Sequence, residues 1–222
     1  MLQPRAVELI SQQQFRQLVR DYANEGYPSE LEQIYNDARK VIYHTAFVAF
    51  LAGKAKAAKE AEIDYWSFEE NDMPLLKEIR FKYYMDFDKV FRDLIAKIRV
   101  KDYDEADKII KRCELILQML TWNAYSKGKL ALWDDEILKP QRLGQAGRAR
   151  IYEGTWVYFT ERDERVCQIC GRMSGDSYED PFMAPVFPIH PWCRCELIYS
   201  PYAKDVDRQD TFKEKVAEET EE

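Results

Sequence analysis

The 222-residue chain carries 33 Lys and Arg against 40 Asp and Glu, a formal net charge of −7, and 46% of its residues are hydrophobic. That length is enough to bury a real core, and a pI near 5.1 argues against broad, sequence-blind binding to nucleic acid, which needs a basic face. No stretch approaches the roughly 20 apolar residues that span a bilayer, and the N-terminus MLQPRAVELISQQQ lacks the basic start and apolar run of a signal peptide, so the expectation is a soluble, cytosol-made chain with no membrane partner.

From Pro4 to Tyr22 the apolar positions Val7, Ile10, Phe15, Leu18 and Tyr22 recur at helical steps and predict one buried helix face, closed by Gly26 and Pro28. Ser29 and Glu32 have capping-box spacing. Behind them Leu31, Ile34, Tyr35, Ala38, Ile42, Ala46 and Ala49 define a second helix that extends to about Lys59, its lysine-rich later part solvated on one side. The pattern lapses between Asp64 and Asp72. Asp72 and Pro74 then open a third helix, whose stripe Ile79, Tyr83, Phe87, Val90, Leu94 and Ile98 is the most regular in the chain. Asp102 and Glu105 make a cap-like pair for a fourth helix with Ala106, Ile109, Cys113, Leu117, Leu120 and Ala124 on its apolar face, ending near Gly128.

Residues 131–154 change texture, with mixed charge, Pro140, Gly144 and Gly147, and read as a connector holding one short helix. Its basic residues Lys139, Arg142, Arg148 and Arg150 are the best place for a local DNA contact, although such runs are more often solvated surface. The aromatic and β-branched run Thr155 to Thr160 predicts a strand, and Glu196 to Tyr199 a returning one. Residues 201–222 are charged with few apolar anchors and read as a solvated tail. Trp66, Phe68, Trp122, Trp133 and Trp156 are candidates for core or for interface anchors, with core the expected place for most.

The chemistry lies in the last third. Four of the five cysteines fall between Cys167 and Cys195, and in a reducing compartment thiols clustered beside a histidine point to a metal rather than to disulfides. A C-x-x-C turn, here Cys167 and Cys170, supplies two thiolates from one knuckle. The second half-site is HPWCRC, where His190, Cys193 and Cys195 are three candidates for two places, with Cys193 favoured together with one neighbour. Residues 171–189 between them hold Gly171, Gly175, Pro181, Pro185 and Pro188 and read as a loop that needs a metal cross-link. The donor set can fill every position of a tetrahedral zinc ion, which indicates a structural zinc rather than a catalytic one. The histidine follows the cysteine pair, the wrong order for a nucleobase deaminase. No acid/base constellation accompanies the cluster, so no enzymatic activity and no small-molecule substrate are expected. His44 reads as a packing residue on a helix face and Cys113 as core.

The segment D163-E-R-V-C-Q-I-C170, Gly175 and the run PVFPIHPWCRC195 closed by Leu197 resembles the C-terminal signature of the phage head-morphogenesis family of minor head proteins. Asp163, Arg165, Cys167, Cys170, Gly175, His190, Pro191, Cys193, Arg194 and Cys195 carry the match, which covers about a quarter of the chain. The resemblance implies a virion component made in the host cytoplasm. Its partners would be the portal or the major capsid protein, and its role head assembly, DNA packaging or ejection. The alternative is a zinc-ribbon nucleic-acid-binding protein in which Arg165, Arg172 and Arg194 neutralise phosphates. The expected architecture is mainly α. It comprises an elongated helical bundle over residues 1–130, the connector, a small zinc-binding α+β lobe over 155–200, and the tail.

Overall fold

The structure, a computed structural model, describes residues 3–24, 31–64, 66–139, 154–160, 166–185, 187–191, 193 and 195–200. The fold is mainly α with a small sheet. Helices α1 (Pro4–Asn24), α2 (Leu31–Glu60), α3 (Asp72–Arg99) and α4 (Tyr103–Trp133) precede strand β1 (Thr155–Phe159), the short helix α5 (Gln168–Met173), strand β2 (Ser177–Tyr178) and strand β3 (Glu196–Ser200). The chain forms two compact units: residues 1–53 with 68–128, and residues 54–67 with 129–222. No described helix is long and apolar enough to cross a membrane.

In the first unit the regular stripes behave as the sequence predicts. Ile79, Tyr83, Phe87, Val90, Leu94 and Ile98 of α3 are all buried, as are Ala106, Ile109, Cys113, Leu117, Leu120 and Ala124 of α4. Phe87 and Phe91 stack at 5.6 Å, and Phe15 meets Phe87 edge-on at 5.5 Å, an arrangement favoured by the ring quadrupoles. Asp102 Oδ1 accepts the Glu105 amide at 3.3 Å, so the anticipated cap forms at the start of α4. Burial pushes the Cys113 thiol up to about 12, which leaves it an inert core group.

The face of α1 differs from the simple stripe. Ile10 is exposed, and Glu8 and Ser11 are buried instead. Their polar atoms have partners, which removes the penalty for burying them: Trp122 Nε1 donates to Glu8 Oε2 at 3.1 Å, and the Thr45 hydroxyl to the Ser11 hydroxyl at 2.8 Å. His44 is exposed, not packed, because the inward positions of its turn go to Thr45 and Ala46. The Gly26, Pro28 and Ser29 signals lie outside the described residues.

Gly128 does not end α4. A Cβ there would sit 2.0 Å from the Phe50 carbonyl oxygen, so the glycine lets two helix backbones touch. The helix continues to Trp133 and through a π-helical turn, Asp134–Leu138, into what the sequence reads as connector. Trp133, Ile137 and Leu138 are buried there, which explains why the helix persists. Lys139, at its end, is paired with Asp134 and Asp135; Arg142, Arg148, Arg150 and the tail fall outside the described residues.

The sheet of the second unit has the order β2-β1-β3, antiparallel throughout. Trp156 pairs with Tyr199 and Tyr158 with Leu197, so one face collects all four buried side chains. That face packs with Ala57, Ala61, Leu132, Trp133, Ile137 and Phe187. The solvated side expected for the lysine-rich end of α2 is interrupted, since Lys54 is only 1% exposed. Lys129, 2% exposed, places its ammonium 2.9 Å from Glu60 and 3.2 Å from Glu196 and over the Trp133 ring. Glu60 Oε2 in turn accepts the Tyr199 amide at 3.2 Å.

Two outcomes test this framework. Gly128→Ala, a favourable change in an ordinary helix, should cost about 2 kcal/mol or more in a denaturant titration, because overpacking against Phe50 outweighs the helix propensity gained. Lys129→Met should cost about 3 kcal/mol at neutral pH, because it takes the buried cation from two carboxylates and leaves Glu60 the Tyr199 amide and the longer ion pair with Lys56 at 3.6 Å. Burial already raises Glu60 above the usual carboxylate range, so without Lys129 it is the more readily neutralised. The deficit should therefore shrink as pH falls and the neutral acid forms.

Candidate metal centre

Two pieces of chain bring the donors together. Cys167 precedes α5 as its N-cap, its Sγ accepting the Cys170 amide at 3.4 Å, and this tight turn directs both thiols to one side. On the far side of residues 171–189, His190 opens a turn in which the Cys193 amide bonds back to the His190 carbonyl at 3.1 Å, and Cys195 leads directly into β3. The intervening segment is anchored rather than loose. Gly175, at φ 91°, donates to the Tyr158 carbonyl at 2.9 Å, and the Tyr158 amide donates to the Asp176 carbonyl at 2.8 Å. Ala184 and Phe187 bury themselves in the apolar cluster.

All five anticipated donors converge. Cys167, Cys170 and His190 have their donor atoms within 4.8 Å of one another, and so do Cys170, Cys193 and Cys195. Cys170 belongs to both trios. In a tetrahedral site with metal–sulfur bonds of about 2.3 Å the ligand atoms stand about 3.8 Å apart, so each trio is close to the spacing one ion demands. Cys170, Cys193 and Cys195 are buried, whereas Cys167 and His190 are half-buried, which leaves the ion a route in from that side.

The imidazole is set up to ligate. His190 Nδ1 lies 2.6 Å from the Pro191 carbonyl, which can only accept, so Nδ1 carries a proton and in the neutral imidazole Nε2 presents its lone pair. Nε2 is 3.0 Å from Cys167 Sγ and 3.0 Å from Cys170 Sγ. This is the arrangement by which an outer carbonyl fixes the tautomer and orientation of a metal-binding histidine.

The thiols differ in how readily they ionise. The hydrogen bond from the Cys170 amide lowers Cys167, and burial raises Cys170. The side-chain contact with Cys195 brings Cys193 down to about 5, and the same contact, followed by burial, pushes Cys195 up. His190 is raised, first by the Pro191 carbonyl. Burial, and then the Cys170 and Cys195 thiols, keep the Tyr158 phenol well above its ordinary value. The arrangement thus holds several soft donors of mixed proton affinity around one point, and this donor set can take up a metal ion that displaces the remaining thiol protons. All the cysteines are free thiols.

Sequence reasoning finds every residue of the two trios but neither the Pro191 carbonyl beside His190 nor the buried Tyr158 beside the cysteines. The Pro191 carbonyl has no signal of its own in a sequence. Tyr158 does, through the alternation of β1, which faces it inward beside the cysteines. Asp163, Arg165 and Arg194 of the motif lie outside the described residues. Comparison with protein-family models, with curated proteins and with solved structures gives no match.

Because Cys170 is the donor shared by both trios, Cys170→Ser should weaken metal binding more than Cys167→Ser or Cys195→Ser does. Competition against a chromophoric chelator gives the ranking, with Cys170→Ser the weakest binder, because its loss breaks both trios and either of the others breaks one.

Proposed function

We propose that this chain is a structural minor head protein of a tailed virus, and that its C-terminal unit is clamped by a structural zinc ion. The observation that carries the reading is the convergence of two half-sites on Cys170 across the 171–189 segment. Cys167, Cys170, His190, Cys193 and Cys195 are the residues that would hold the ion. Zinc suits thiolates mixed with an imidazole, accepts a tetrahedron without redox change, and would cross-link the α5 turn to the start of β3. Five donors exceed the four positions of such a site, so water has no reserved place on the metal, as befits a structural role.

The virion assignment is supported by the order of residues around the cluster. The C-x-x-C pair, Gly175 in its left-handed turn and the His-Pro-x-Cys-Arg-Cys run follow the phage head-morphogenesis pattern. On this reading the helical unit contacts portal or major capsid subunits, the zinc-held unit forms a rigid end piece, and no reaction is catalysed.

Elemental analysis of protein purified under reducing conditions should give about one zinc per chain. Treatment with a strong chelator should abolish the near-ultraviolet signal of the aromatic cluster around Trp133, Trp156 and Tyr199 while most helical far-ultraviolet signal persists. Metal-free protein of unchanged thermal stability overturns the zinc clamp. Co-expression with the portal and major capsid proteins of the same virus tests the assembly role: co-elution with either on size exclusion supports it, and elution alone overturns it.

A further inference from the structure

Tyr158 lies at the centre of β1, and every part of it except one atom is accounted for. Its backbone amide and carbonyl are both held, by Asp176 and Gly175, and its ring is fixed by Phe187 at 5.3 Å and by Leu197 opposite it in register. The residue is fully buried. Yet among the described residues its hydroxyl has no hydrogen-bond partner of acceptable geometry. A buried hydroxyl without a partner is a standing cost, and such a group asks for an explanation.

Tyr158 is packed in the same buried cluster as Cys170, Cys193 and Cys195, and of these thiols Cys170 and Cys195 are the ones its hydroxyl senses. A neutral thiol is a weak acceptor, which is why the contact is worth little with the sulfurs protonated. A metal-bound thiolate carries charge and accepts strongly. Phenylalanine would fill the same apolar space, so packing alone gives no reason for the oxygen.

We propose that Tyr158 is a positioning residue of the metal centre, its hydroxyl donating to the Cys170 and Cys195 sulfurs once they are thiolates and so favouring the metal-loaded state. This rests on the zinc reading above. It assigns the orphan hydroxyl a partner that comes into being with metal binding, and it extends the outer support from the Pro191 carbonyl on His190 to the buried thiolate side of the cluster. The phenol also spreads charge away from a site where three or more thiolates outweigh a divalent cation.

Tyr158→Phe separates this role from packing, because its effects on the two states should have opposite signs. The metal-free variant should be as stable as wild type or more so, having lost an unsatisfied buried hydroxyl. Its zinc affinity should fall about tenfold or more, as for other outer supports of metal ligands. With cobalt(II) as probe, the thiolate-to-metal charge-transfer band should shift relative to wild type, a change that lost packing does not produce. Phe187→Leu, which removes ring packing and leaves the hydroxyl, should lower stability with little change in metal affinity. Equal affinity and an unchanged cobalt spectrum in Tyr158→Phe overturn the inference while leaving the zinc clamp standing, and so does a variant equally destabilised with and without metal. Wild-type protein that takes up neither zinc nor cobalt overturns the zinc reading itself, and the inference with it.

Discussion

Lys129 buries its ammonium between two carboxylates, Glu60 at the end of α2 and Glu196 at the start of β3, and the geometry of the C-terminal unit follows from that cost being met. A cation taken out of water is tolerable only where opposite charge and hydrogen bonds replace the lost hydration. Lys129 therefore fixes where the end of α2 and the first residue of β3 must lie relative to the last turn of α4. Glu60 carries the constraint one step further by accepting the Tyr199 amide. β3 is an edge strand of the three-stranded sheet, and an edge amide taken by a side chain is not left to pair with another chain. The cluster thus orients the sheet and protects its edge with the same carboxylate.

With the sheet fixed, the donors follow. Cys195 is the residue before β3, so the position of Glu196 determines the direction from which Cys193 and Cys195 approach. The opposite half-site is set by β1, since the carbonyl and amide of Tyr158 hold Gly175 and Asp176 and thereby draw in the segment that follows α5. One strand pair therefore supports both halves of the Cys/His cluster. A site built on strands and their flanking turns is held more tightly than one on a free loop.

Much of this architecture is legible in the amino-acid sequence. The stripes of α3 and α4 predict buried faces because nothing but apolar packing decides those positions, and the cysteine pair with HPWCRC marks by type and spacing the five residues that cluster. The misses share a cause: a residue whose local chemistry says one thing and whose distant partner says another. Glu8 and Ser11 look like surface until Trp122 and Thr45 meet them. Gly128 looks like a helix end until the Phe50 backbone presses against it. Trp133 to Leu138 look like a connector because the surrounding charge and glycines dominate the window, while their burial depends on a sheet assembled later in the chain. Two-residue β2 is too short to leave any alternation, and His44 sits one position away from the inward-facing Thr45.

The reading of residues 171–189 as a loop with no core of its own changes most. Ala184 and Phe187 insert into the aromatic cluster, and Phe187 lies against the Tyr158 ring. Apolar burial therefore helps to bring His190 to the cysteine pair, and the Pro191 carbonyl orients its ring. Against that stands the difficulty of crowding several thiols and a phenol in a buried space, where charge on any one sulfur raises the cost on the next. A metal cation at the centre would resolve this conflict in one step, replacing thiol protons and turning mutual repulsion into shared coordination.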